Sequence, residues 1–463
     1  SGASSIDGLS DALIETNSMY LGNDPSSTTN SAMYNLAVGA TALDAVSSGD
    51  YNTAIGYNAL TANTSGGSNI AMGYDALAAN TSGPRNIAIG LRALDASDTE
   101  NDNIAIGQDA LGGSLNGGSV NVAIGNYAMD VNTTGNNNVG IGYAALSDNT
   151  TGGSNTAVGA FTLHSNTSGI YNSAFGEYAL EENTTGHYNS AYGRRALSEN
   201  TTGDGNTGLG YGALFNNTTG SRNIAIGQGA LDAEDTENDN LAIGYDALGG
   251  TIAGGELNVA IGNYTLDVLT SGDGNTGIGY SSLSAVTTGN NNVAVGRGSA
   301  GTITTGSSNV VIGRSADVSS NAASNQIIIG HNVAGHGDNI AVIGNTDMTA
   351  WHPADDNGVD LGSSSYEFKD VYVDGITYTD AIGFGTVTMT LPTADGSNGQ
   401  ILATNGSGTL AWTANTAASG VNNLSDGLIE DNSIYIGNDP ASSTSTAQYN
   451  TAVGTTAMDA ITT

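Results

Sequence analysis

The acidic triplet Asp98-x-Glu100-x-Asp102 returns as Asp235-x-Glu237-x-Asp239. Alternate residues of an extended segment share a side, and three carboxylates so placed supply the hard oxygen ligands that Ca2+ takes. These six residues are the metal candidates of the chain, and no other cofactor is implied. A solvated turn is the competing reading. Asn103 stands where a helix-flanked calcium loop carries glycine, and each triplet replaces an ordinary Asn-Thr-Thr-Gly turn. The Asn-x-Ser/Thr strings that run from Asn63 to Asn217 could accept N-glycans in a secretory pathway, but all sit at one phase of a repeat and are expected to serve as turn residues.

Acid–base and nucleophilic chemistry find little footing. His164, His187, His331, His336 and His352 show neither metal-ligand spacing nor a nucleophile nearby in sequence. The glycine-rich string Gly289–Gly296 lacks the strand–loop–helix setting of a phosphate loop. Glycan-cleaving enzymes use paired carboxylates, whereas the acids here follow the repeat or decorate turns. The chain is expected to be non-enzymatic. A tyrosine row at Tyr57, Tyr74, Tyr143, Tyr211, Tyr245 and Tyr280 could stack on sugars, and packing between coils or subunits is the competing reading.

What would position any of these residues is a repeat. A glycine closes each Asn-x-Ala-Ile-Gly string from Gly22 to Gly330, at a spacing of 17 residues except for two intervals of 18, Gly107 to Gly125 and Gly244 to Gly262. Asn precedes that glycine by four residues, a small residue by two and an aliphatic or aromatic residue by one; Leu follows by four. A 17-residue unit cannot bury its own apolar face, so successive units must stack as a solenoid. The string reads as a short strand apolar on both faces. The Ile87 and Ile89 face is expected inside with Leu94, leaving the Ala88 face to pack against another subunit. Asn-Thr-Thr-Gly segments supply the turns, and stacking should raise Asn and Thr ladders. A short helical turn at Tyr74–Ala79 stays open.

Composition agrees with a thin core. The 463 residues include 68 Gly, no Cys and a hydrophobic share of only 38%. Absence of Cys removes disulfides and thiolate metal sites. The net charge of −36 repels phosphate backbones and argues against nucleic-acid binding. No apolar run reaches membrane-spanning length. Larger periods lie above the coil. Residues 84–147 match 221–284 at an offset of 137, and residues 9–48 match 424–463 at an offset of 415. The chain is therefore expected to belong to a longer protein with several such units.

The fold class expected is all-β, a parallel β-solenoid of 17-residue coils with a small β connector. Residues 1–21 form a cap, 22–344 the repeat shaft, 345–418 a connector with a hairpin about Asn405-Gly406, and 419–463 the start of the next unit. The string from Asn52 to Leu77 (NTAIGYNALTANTSGGSNIAMGYDAL) resembles repeats of phage tail fibre proteins, and more distantly the head β-rolls of trimeric autotransporter adhesins. Gly358–Gly375 and Leu391–Thr413 are similar to segments near the distal parts of tail fibres. The resemblance implies a left-handed trimeric shaft on a virion, built as a homotrimer or head-to-tail assembly. It would carry a tip that contacts a host surface glycan or protein. A bacterial surface adhesin or extracellular filament is the alternative, and a glycan-cleaving spike a more distant one.

Overall fold

The computed structural model describes residues 12–15, 17–22, 31–233, 236–250, 254–351, 361, 363, 365–374, 381–384, 387–394, 396–398, 400–407, 409–414, 427–430, 433–436 and 451–453. They divide into two compact units, Ser1–Trp351 and His352–Thr463.

The first unit is the solenoid. A hairpin opens it, Ala12–Glu15 antiparallel to Ser18–Leu21. Three-residue strands then follow, one per coil, from Leu36–Val38 to Ala341–Ile343, and complete a 21-stranded sheet in which each pairs in parallel with the next. The register is one coil throughout the regular part: Ile87, Ala88 and Ile89 lie beside Ile104, Ala105 and Ile106. At a parallel spacing of about 4.8 Å per strand, the stack is roughly 90 Å long. No helix occurs among the described residues. The segment left open at Tyr74–Ala79 is a left-handed turn, with Asp75 and Leu77 at φ 54° and 53°.

The direction of the strands reverses the expectation. Ala88 points inward and is wholly buried, with its counterparts from Ala54 to Ala294, whereas Ile87 and Ile89 point outward and are only half-buried. The coil is too thin for two layers of large side chains. The Leu column (Leu60, Leu77, Leu94) fills the interior, and only a methyl group fits behind the strand. Volume is traded between neighbours, as close packing requires. Where Met129 replaces Leu, the next strand carries Gly140, whose added Cβ would lie 2.9 Å from the Met129 Cε. Where the Leu column shrinks to Ala300, the strand position grows to Val311.

Each Leu sits at a left-handed φ, 54° at Leu94, a conformation that disfavours side chains. Burial of the whole side chain, worth about 1.5–3 kcal/mol, offsets that cost. The coil glycine also lies at positive φ, and a Cβ on Gly90 would meet the Gly107 carbonyl oxygen at 2.2 Å. Glycine is required there because the next coil's backbone passes against it.

In the second unit, Ala381–Phe384 pairs antiparallel with Val387–Thr390, and Gln400–Thr404 with Leu410–Ala414. The expected hairpin is present with a longer turn. Asn405 donates its N–H to the Thr409 carbonyl at 3.0 Å, and Gly406 takes φ 76°. Beyond it, Gly427–Glu430 and Ser433–Ile436 form an antiparallel pair, with Thr451–Val453 parallel to the latter. This is the arrangement of Ala12–Glu15, Ser18–Leu21 and Leu36–Val38, repeated at an offset of 415 residues.

Candidate functional site

Each coil is locked to the next by an outer column of buried asparagines. Asn52 donates its backbone N–H to Asn35 Oδ1 at 2.8 Å and its side-chain Nδ2 to the Gly66 carbonyl at 2.9 Å. The pattern continues coil by coil until Gln326 donates its N–H to Asn309 Oδ1. The expected Thr ladder is also present, as in Thr150 Oγ1 to the Thr167 carbonyl at 2.9 Å.

The glycan-acceptor strings supply a second, inner column. Asn149, Asn166 and Asn183 are fully buried, and each donates Nδ2 to the asparagine one coil earlier at 2.8–2.9 Å. In the folded coil these amides are internal.

The acidic triplet does not keep its carboxylates on one side. Asp98 stays outside and accepts the Thr81 hydroxyl. Asp102, at φ 59°, forms a bidentate pair with Arg85 at 2.7 and 2.8 Å. Glu100 turns inward and is buried. Its Oε2 accepts Ser97 Oγ and the N–H groups of Asp98 and Thr99 at 3.0–3.1 Å; its Oε1 accepts the N–H of Gly117 at 2.9 Å. Burial pushes the Glu100 carboxyl up, but the backbone N–H groups of Gly117, Thr99 and Asp98 outweigh it and hold the group below the usual range.

Glu100 has a structural reason to point inward. It occupies the phase where Gly66 and Gly83 stand, and Ser97 replaces the inner-column Asn, which leaves room for a side chain. The coil that follows is one of the two 18-residue coils, and Gly117 lies within its extra turn. The second triplet repeats the inward glutamate and the outward ion pair, with Glu234 at the position of Ser97. Glu237 Oε1 accepts the Gly254 N–H at 2.7 Å, and Asp239 pairs with Arg222 at 2.7 and 2.8 Å. Asp235 lies outside the described residues. Among the described residues no three acidic or histidine side chains converge on a position for a metal ion.

Stacking creates one contact that spacing along the chain hid. Ser147 Oγ lies 2.6 Å from His164 Nδ1. The two residues are one coil apart, so a search by column, not by local motif, would have found them. The tyrosine row is half exposed, and its rings meet neighbours in adjacent coils. Tyr57 stacks on Tyr74 at 5.3 Å, and Tyr143 meets Phe161 edge-on at 5.2 Å.

One surface feature runs the length of the sheet, its outer face. Two columns of mainly Ile, Val, Leu and Thr run along the strands, with Phe175 and Tyr192 stacked at 5.0 Å. Ile70, Met72, Leu209, Ile224, Ile278 and Ile312 are each more than a third exposed. Contiguous apolar patches of this length are uncommon on surfaces that face only water. No helix among the described residues is long and apolar enough to cross a membrane. The chain matches no protein-family model and no curated protein.

Proposed function

We propose that this chain is part of a structural fibre shaft, most specifically that of a phage tail fibre. The shaft is a passive rod that holds a receptor-binding tip away from the virion and transmits attachment. The observation that carries this reading is the sheet of constant register, in which coil after coil of the first unit repeats the outer Asn ladder around a small core of mainly Ala and Leu. Such a stack gains length without gaining a site. The return of the opening strands after 415 residues supports a longer shaft assembled from similar units.

The outer apolar face supports association with further copies of the chain. A stripe that repeats every 4.8 Å or so along a rod is matched along its length by another such stripe. The resemblance to tail-fibre repeats and trimeric adhesin heads favours three copies in a left-handed roll. The net charge of −36 keeps such rods apart elsewhere on their surface.

Electron cryomicroscopy of native particles that carry the protein tests this. The expected result is three-fold rods projecting from virions. Filaments on bacterial cells, or free filaments of this chain alone, would move the assignment to a surface polymer.

A further inference from the structure

Among the differences between the two matching stretches of the solenoid, 84–147 and 221–284, one removes the partner of a carboxylate. In the first, Arg92 extends over the next coil and forms a bidentate pair with Asp109, at 2.7 and 3.0 Å. Asp109 is thereby largely covered, its side chain 15% exposed. In the second stretch the counterpart of Asp109 is Asp246, and the counterpart of Arg92 is Gly229. The same carboxylate remains and the guanidinium is gone. The other Arg–Asp pair of the stretch, Arg85 with Asp102, is retained as Arg222 with Asp239.

A notch of about 220 Å3 lies over Gly229. Gly212 and Gly229, successive members of one column, form its floor. Tyr211 and Gln228 line one side, and Phe215 and Asp232 the other. Arg195 and Asp246 stand at the two ends. Arg195 is turned onto aromatic rings, 5.7 Å from the Phe215 centroid and 5.8 Å from that of Tyr178. At the opposite end two carboxylates converge over Gly229. A Cβ built there would lie 2.5 Å from Asp246 Oδ1 and 3.2 Å from Asp232 Oδ2. Burial, and then the charge of Asp246, raise the Asp232 carboxyl above its ordinary range. At Asp95, the counterpart in the first stretch, Arg92 opposes the same effect of burial.

We propose that this notch binds a guanidinium group, the side chain of an arginine presented by a partner protein, with the charged head on Asp232 and Asp246 and the alkyl stem between Tyr211 and Phe215. The chain supplies its own precedent for the head group, because Asp109 holds Arg92 in that geometry. The planar fork of a guanidinium suits a carboxylate oxygen pair, and the aromatic walls favour a cation and its methylene stem. The surface charge of the whole chain draws cations toward it. The site lies outside the two outward columns of the sheet and is independent of the shaft reading.

Titration of the full chain with N-acetyl-arginine amide, against N-acetyl-citrulline amide as the neutral isostere, tests the proposal. The arginine compound should bind at least about tenfold more tightly than citrulline, since only it forms charge-assisted bonds. Asp246→Asn should weaken arginine binding about tenfold, and Asp109→Asn should leave it unchanged. Gly229→Arg should abolish binding while preserving the melting transition, because Arg92 adopts φ 51° at the equivalent position and Gly229 has φ 63°. Sedimentation of Gly229→Arg separates the sources: a changed oligomeric state places the arginine on a second copy, and an unchanged one places it on a different protein. Equal binding of arginine and citrulline, no binding of either, or full binding by Gly229→Arg would overturn the proposal.

Discussion

Between Asn132 and Asn217 the inner column of the solenoid is a run of buried amides; from Leu269 through Val286 to Ile303 the same column is aliphatic and equally buried. The outer column shows no such exchange and stays Asn from Asn35 to Asn309. The difference lies in what each amide holds. An inner amide donates to the inner amide one coil earlier and to a Gly carbonyl that the outer column already serves: the Gly135 oxygen accepts both Asn132 Nδ2 and Asn121 Nδ2. Where the inner amides are absent, the outer donor remains, as from Asn258 to the Gly272 carbonyl. An outer amide also accepts a backbone N–H that no other group reaches. A buried polar pair can be exchanged for apolar groups at little cost, but half of a pair cannot be removed cheaply.

The largest loss of stability is therefore expected in the outer column. Asn172→Ala leaves the Asn189 N–H without its acceptor, and the Gly186 carbonyl keeps only the Asn183 Nδ2 donor. The stranded N–H, the lost bond to the Gly186 carbonyl and the cavity left by the amide should together cost about 2–5 kcal/mol, read as a lowered unfolding midpoint in denaturant. Glu100→Ala comes next. It removes the acceptor of three backbone N–H groups and should cost about 1–3 kcal/mol.

The Glu100 contribution should also depend on pH. The folded carboxyl is held below its ordinary value, so its stabilisation is complete above the unfolded pKa and fades as pH falls through the folded one. Glu100→Gln should lose that acid sensitivity in its melting curve. The smallest effect sharpens the comparison itself. Asn166→Val alone strands its neighbours and should cost about 1 kcal/mol or more. The joint change of Asn149, Asn166 and Asn183 to aliphatics should cost less per residue than the single change. A joint cost equal to three times the single one would show the columns to be alike.

Much of this architecture was legible as a beat. The 17-residue spacing fixes the parallel register, and the repeated Asn and Thr phases become the ladders. The direction of the strand was not legible, because Ile87-Ala88-Ile89 is apolar on both faces and alternation carries no sign for inside. Coil thickness decides it, through the space left by Leu94. The left-handed turn at Leu94 was hidden because that conformation is usually read from Gly or Asn. Glu100 looked like part of an external cluster until its place in the column showed that Ser97 had cleared space for it. The contact between Ser147 and His164 follows from stacking and has no local signature.

The outer face carries the central claim, that copies of this chain pack along it to build a shaft. Sedimentation equilibrium of the full chain, beside a variant with Ile141→Asp and Ile278→Asp on that face, tests it most directly. The wild type should sediment as a stable multimer, with three copies expected. The variant should sediment as single chains whose coil melts at nearly the wild-type temperature. A wild-type chain that stays monomeric across the concentration range, or a variant that assembles as the wild type does, would contradict the account.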